Sequence, residues 1–175
     1  MLRDGQRLEV RGAGPGDRMA LRAFFDGLSP LSRYQRFFAG FPAIPDPLLE
    51  DFCRADDERH AGRSVRAAGR IIADGRLVLD DDDWAELAVV VSDDWHGRGI
   101  GRRLAGHLVH LALARGWRHL KADYLAENRR IAGLLRDTGF ALAAAESRAG
   151  LRVARLAPSA AASGALAPST APAGR

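Results

Sequence analysis

The chain opens with alternation. In Arg7-Leu8-Glu9-Val10-Arg11 polar and apolar side chains take turns, the period-two mark of a strand, and the glycines from Gly12 to Gly16 break it. Helical spacing follows, with Asp17 as N-cap ahead of Leu21, Phe24, Phe25 and Leu28 on one face. Ser29 caps a second helix with Pro30 at its first position, running through Tyr34, Phe37 and Phe38. Asp46-Pro47 repeats the device before Leu48, Leu49, Phe52 and Cys53. Two strands are predicted over residues 64–67 and 71–79, joined at Ala68-Gly69-Arg70, and Asp80-Asp81-Asp82-Asp83 reads as the next turn. β-branched residues crowd 85–91, as in a central strand. A glycine-rich turn then leads into a helix over about 101–115, with Leu104, Leu108 and Leu111 inside. A strand over His119–Leu125, a helix over 128–137 ended by Gly139, and short strands over 140–144 and 148–156 complete the pattern. The order is β, helices, three strands, α, β, α, ββ, which predicts a mixed α/β sheet with helices on both faces.

Composition sets bounds on this picture. The length of 175 residues suits one domain, and 47% apolar against 27% charged residues allows a proper core. Residues 158–175 hold almost nothing to bury, so the folded unit is expected to span 1–156 and a disordered tail 157–175. No run approaches the ~18 apolar residues of a membrane span, and the start lacks the hydrophobic centre of a signal peptide. A single cysteine, Cys53, excludes an internal disulfide framework and fits a reducing cytoplasm. The net charge is only +4, yet the pI is about 10.1, because Lys121 is the only lysine and every other cation is arginine. Charge so dispersed argues against nucleic acid and for one local anion site.

That site is predicted at His96-Gly97-Arg98-Gly99-Ile100-Gly101-Arg102-Arg103, between the central strand and its helix. Alternate glycines expose successive backbone N–H groups, the helix N-terminus adds its dipole, and Arg98, Arg102 and Arg103 add charge, so a pyrophosphate fits there. A dinucleotide fingerprint does not match, since Arg102 and Leu104 fall where its third glycine belongs, and the G-K-[ST] of a Walker loop is absent. A glycine turn without ligand is the plainer alternative. Glu86, a lone carboxylate early on an apolar strand and ten residues before His96, is the candidate base, with a solvent-facing strand residue or an ion-pair partner for an arginine as the plainer alternative. The Asp80–83 turn, and His107 with His110 on one helix face, are read as solvated rather than metal sites. Phe24, Phe25, Phe37 and Phe38 are assigned to the core and Cys53 to an inert position, and Arg33, Tyr34 and Arg36 are open to a packing role.

The run Val89-Val90-Val91-Ser92-Asp93-Asp94-Trp95-His96-Gly97-Arg98-Gly99-Ile100-Gly101 resembles the acyl-CoA motif of the GNAT N-acetyltransferase superfamily, with pattern [QR]-x-x-G-x-[GA]. Ala126-Glu127-Asn128, with Leu134 and Thr138-Gly139-Phe140, resembles that superfamily's second motif. The segment from Leu28 to Phe38 and the strand from Ala85 to Val91 look like the catalytic domain of bacterial Pat-type protein lysine acetyltransferases, which implies that Arg33, Tyr34 and Arg36 line the acceptor entrance, packing being the equal alternative. The resemblance implies a mostly antiparallel sheet splayed between the central strand and His119–Leu125, with acyl-CoA in the gap. Its pantetheine would pair with Val89, Val90 and Val91, and its pyrophosphate would rest on Gly97, Arg98, Gly99, Ile100 and Gly101, with Arg102 beside it. Asn128 would touch the CoA arm, and His96, standing where Gln or Arg is usual, would offer one hydrogen bond. Glu86 matches the Pat-type catalytic glutamate, and a backbone N–H near Val90 or Val91 would hold the thioester oxygen. Leu135 occupies the place of a tyrosine that protonates the leaving sulfur in many members.

The implied activity is acetyl-CoA-dependent N-acetylation of a primary amine by direct transfer in a ternary complex. A protein lysine ε-amine is the favoured acceptor, an acyl-CoA synthetase being one such protein. The alternatives are a small amine or amino acid as acceptor, or a catalytically silent acyl-CoA sensor. No metal, nucleic acid or membrane is called for, and the chain is expected as a monomer or homodimer.

Overall fold

A computed structural model describes residues 6–54, 56–148 and 150–156. The expected tail, 157–175, lies outside them. The strands are β1 (Glu9–Arg11), β2 (His60–Ala67), β3 (Arg70–Leu79), β4 (Trp84–Val91), β5 (His119–Leu125), β6 (Ala141–Arg148) and β7 (Leu151–Leu156). The helices are α1 (Arg18–Asp26), α2 (Pro30–Phe37), α3 (Asp46–Phe52), α4 (Ile100–Ala114) and α5 (Arg129–Asp137). The strands form one sheet in the order β1-β2-β3-β4-β5-β7-β6, antiparallel at every junction except β4 with β5.

Each face of the sheet carries its own core. On one, Ala85 and Leu87 of β4 and Leu77 of β3 lie under Leu104, Ala105, Leu108 and Ala112 of α4, all nearly inaccessible. Gly75 permits this approach, because a Cβ there would stand 2.5 Å from Leu108 Cδ1. On the other face Leu21, Phe24 and Phe25 of α1 and Leu49 and Phe52 of α3 close over Ile71 and Val90. Beneath α3, the fully buried Asp74 accepts from Ser64 Oγ and from both Nε and Nη2 of Arg76, each at 2.8 Å. Arg76 in turn donates to Phe52 O at 2.7 Å.

Two caps differ from expectation. Asp17 occupies the cap position of α1, but its carboxylate accepts from Arg11, Arg66 and Gly14 N instead of from the helix. Charged donors outcompete one neutral amide, and the Arg11 guanidinium holds the Asp17 carboxyl down to about 2. Asp46 falls inside the first turn of α3, with Pro45 as cap, and binds Arg18 and Arg22. Ser29 caps α2 as read, accepting from Ser32 N at 3.1 Å, while Phe38 leaves that helix in a left-handed conformation at φ 52°. β2 begins four residues earlier than predicted, paired to β3 through His60↔Val78. β6 extends to Arg148, and β1 shortens to three residues.

The feature that positions the site is a split in the sheet. β3 and β4 pair along their length to Ala73↔Val91, whereas β4 and β5 pair only at Trp84↔His119, Ala85↔Leu120 and Glu86↔Lys121. Beyond Glu86 the parallel strands part, leaving one edge of β4 open. Among the described residues no helix is long and apolar enough to cross a membrane.

Candidate active site

The open edge of β4 presents backbone groups in a fixed alternation. Ser92 N donates to Ile72 O of β3 at 2.8 Å, so residues of its parity, Val90 and Ala88, direct their N–H and C=O toward β3. Val89 and Val91 therefore face the gap. Of the two amides expected as oxygen donors, that of Val91 faces the gap and that of Val90 faces β3.

After β4 the chain turns sharply into α4. Gly97 and Gly99 both take φ of 75°, and Gly99 is the cap residue of α4, a conformation that side chains rarely adopt. Gly101 sits in tight quarters: a Cβ there would lie 3.0 Å from Leu134 Cδ1 and 3.3 Å from Val91 Cγ2. Asp93 ties this loop to α2, accepting from Ser29 N at 3.0 Å, Ser29 Oγ at 2.9 Å and Ser32 Oγ at 2.7 Å.

His96 has a defined tautomer. Its Nε2 lies 2.9 Å from Val91 O, which can only accept, so Nε2 carries the proton and Nδ1 accepts from Arg130. The hydrogen bond expected from His96 to a cofactor is thus already used within the protein. The ring serves as a bridge from the loop to β4 and α5.

Both helix starts bordering the gap carry cations at the positive end of the dipole. Arg102 and Arg103 lie in the first turn of α4 and Arg129 and Arg130 in that of α5, with no acid in either turn. Such placement is unfavourable in an empty protein and becomes favourable around an anion. Between these helix starts and the β4 edge lies a cleft of about 510 Å³. Val89, Val90, Val91, His96, Gly97, Gly99, Ile100, Gly101, Arg102 and Asn128 line it. Arg98 does not; its guanidinium lies 4.7 Å from the centre of the Trp95 ring. Asn128 caps α5, accepting from Ile131 N at 3.1 Å, so its side-chain amide nitrogen remains for a ligand. Sequence reading missed Arg129 and Arg130. The signal was present, since two arginines directly after a cap asparagine repeat the logic of Arg102 and Arg103.

Past Val89 the cleft meets a narrow slot of about 30 Å³, the split itself, lined among others by Gln35, Arg36, Glu86, Asp123, Tyr124 and Leu135. Glu86 reaches solvent, yet the slot walls thin the water around it. That desolvation, then the like charge of Asp123, raises its carboxyl above the ordinary value, with Arg36 and Lys121 opposing. Lys121 is itself held by Asp80 at 2.5 Å, which occupies the acid turn as a structural clasp. Arg33 and Tyr34 stand apart: Arg33 donates to Pro42 O at 2.8 Å and Tyr34 is exposed. Leu135 is buried and offers no proton. Cys53 is free and buried, and among the described residues no group of three His, Cys, Asp or Glu could hold a metal. His107 and His110 are exposed on α4.

The chain matches known proteins along most of this architecture. The model of the acetyltransferase (GNAT) family covers residues 29–140, from the cap of α2 to the end of α5. An acetyltransferase of Pseudomonas aeruginosa is 27% identical over 148 residues, 79% of this chain and 77% of that protein. The GNAT domain of S. lividans PAT superposes with a TM-score of 0.83 at 27% identity, over 90% of this chain and 94% of its own. YncA of Salmonella typhimurium, solved with its cofactor acetyl-CoA, shares the fold at 17% identity and a TM-score of 0.72, over 86% and 94% of the two chains. A cleft lined by glycines and arginines, a split sheet and a family match over well more than half its length make this chain a member of the GNAT acetyltransferase family, an acetyl-CoA-dependent acetyltransferase.

Proposed function

We propose that the protein transfers acetyl from acetyl-CoA to the ε-amine of a lysine on another protein, directly, with donor and acceptor bound together. The observation that carries this reading is the slot. It is too narrow for a bulky acceptor, suits a slender methylene stem ending in an ammonium, and has Glu86 and Asp123 on its wall to attract that charge. The likeness to the S. lividans PAT domain supports the same choice.

The residues present fit acetyl-CoA. Gly97, Gly99, Ile100 and Gly101 offer amides and a helix dipole to a pyrophosphate, Arg102, Arg129 and Arg130 offer charge, and Val89 offers an open strand edge to an amide-bearing arm. When bound, acetyl-CoA supplies a thioester, an acetyl carbon already activated toward amines. Lysine arrives protonated, with a pKa of about 10.4, so Glu86 must take a proton before attack. Its raised pKa brings it closer to the working pH and makes it a better base. Val91 N–H stands on the gap side to receive charge on the carbonyl oxygen. With Leu135 in place of an acid, the sulfur leaves as thiolate, tolerable for a thiol pKa of about 8.5. The lone, buried cysteine suits work in the reducing cytoplasm.

The test is a panel of acceptors, comprising proteins such as an acyl-CoA synthetase, lysine peptides, free amino acids and small amines, incubated with acetyl-CoA and read by mass spectrometry. Labelling of lysines in proteins or peptides is expected. Labelling confined to small amines would overturn the acceptor assignment.

A further inference from the structure

Cleft and slot share Gln35, Arg36, Val89, Ile131 and Leu134, so whatever lies in the cleft meets whatever enters the slot at these residues. One of them is a cation. Arg36 makes no hydrogen bond and no ion pair among the described residues, and its Nε is shielded from solvent without a partner. The guanidinium is held instead by aromatic rings, 4.9 Å from the centre of Phe37 and 5.6 Å from that of Phe52. Arg76 lies 4.6 Å from the same Phe52 ring, but Arg76 has Asp74 to neutralise it. Desolvation holds Arg36 down to about 10, a cation kept in an unfavourable place. Its attraction to Glu86 is felt without the two side chains pairing. A base and an unused set of N–H donors therefore flank one small space.

We infer that Arg36 is a catalytic residue whose guanidinium donates to the thioester oxygen and carries the charge that builds there during attack. Two other ligands for it fit less well. A phosphate belongs at the Gly97–Gly101 end, none of which lines the slot. A carboxylate on a longer acyl group would be repelled by Glu86 and Asp123, which share the slot wall with Arg36. In the step assigned, the acceptor nitrogen gives one proton to Glu86 and forms its bond to the carbonyl carbon. The carbonyl π pair moves onto the oxygen facing Arg36. When that pair returns, the carbon–sulfur bond breaks with its electrons on sulfur, the second nitrogen proton goes to sulfur, and Glu86 passes its own to water. Ammonium and thioester become amide, thiol and one proton.

This inference rests on acetyl transfer in the cleft and holds for either class of acceptor. Its test is isotope-edited infrared spectroscopy of carbonyl-labelled ¹³C acetyl-CoA bound to wild type, Arg36→Met and Arg36→Lys, with CoA affinity, melting temperature and kcat measured alongside. The expected result is a carbonyl stretch at lower frequency in wild type than in Arg36→Met, with Arg36→Lys between them. In Arg36→Met, kcat should fall about 100-fold, as for loss of one oxyanion donor, while CoA affinity stays within about 2-fold. Melting should change little, because Arg36 makes no hydrogen bond or ion pair among the described residues and methionine keeps its packing on Phe37 and Phe52. An unchanged stretch, a loss of CoA affinity in step with kcat, or a rise confined to the acceptor KM would each overturn it. The infrared band needs no acceptor, so a wild type inactive on every amine would sink the transfer reading while the band still decides Arg36.

Discussion

Asp93 gives the sharpest test of how the fold prepares the cleft. Its carboxylate accepts three hydrogen bonds from the start of α2, at 3.0, 2.9 and 2.7 Å, and is the described link between that helix and the loop before α4. In Asp93→Ala, Ser29 N, Ser29 Oγ and Ser32 Oγ lose an ionised partner. Three bonds at about 1.5 kcal/mol each, the low end for a charged acceptor, come to about 4–5 kcal/mol, and water reaching this half-buried place should reduce the loss to about 2–3 kcal/mol. For a domain of this size that corresponds to about 4–12 °C in melting temperature. Desolvation is the largest single effect on the Asp93 carboxyl and pushes it up, but the bonds from Ser29 and Ser32 together outweigh it and hold the group below its ordinary value. Its contribution is therefore full at neutral pH and fades only as pH falls through that lowered value. Thermal unfolding by circular dichroism at pH 7, with calorimetric titration of CoA, reads both consequences: lower stability and weaker CoA binding. A melting temperature unmoved by Asp93→Ala, or a stability loss without any change in CoA affinity, would refute the reasoning that α2 holds the loop in place.

Three further outcomes follow from the same geometry. Asp74→Ala should destabilise the protein by about 3–5 kcal/mol, since it leaves the guanidinium of Arg76 buried without a counter-ion; chemical denaturation checks this. CoA affinity should fall as salt rises, and Arg102→Gln or Arg130→Gln should flatten that dependence, as read by calorimetry across ionic strengths. The rate should climb with pH through the ionisation of Glu86, at a midpoint above that of an ordinary glutamate, and Glu86→Gln should lower the rate and remove the climb in a pH series of kcat/KM.

The elements were legible where periodicity and punctuation agreed. β5 was read to the residue, and α4 and α5 to within one, because apolar spacing, a cap asparagine and the left-handed Gly139 all speak locally. What stayed hidden depends on partners distant in sequence. Asp17 and Asp46 look like caps until Arg66 and Arg18 arrive from elsewhere to claim them. The identity of His96 suggested a cofactor contact, but its tautomer is set by Val91 O and by an arginine 34 residues away. Val91 rather than Val90 faces the gap because of the β3 register, which no local pattern encodes. The sequence around Arg36 suits core and acceptor entrance equally, and only the meeting of cleft and slot puts it at their junction.

The central claim is that this cleft binds acetyl-CoA and that Glu86 drives transfer of its acetyl group to an amine. Release of free CoA thiol, followed continuously with wild type and Glu86→Gln over a lysine peptide, tests it most directly. Amine-dependent thiol release by wild type, with a loss of at least about 100-fold in Glu86→Gln, is the expected result. Full turnover by Glu86→Gln at every pH, or no thiol release by wild type with any amine, would contradict the account.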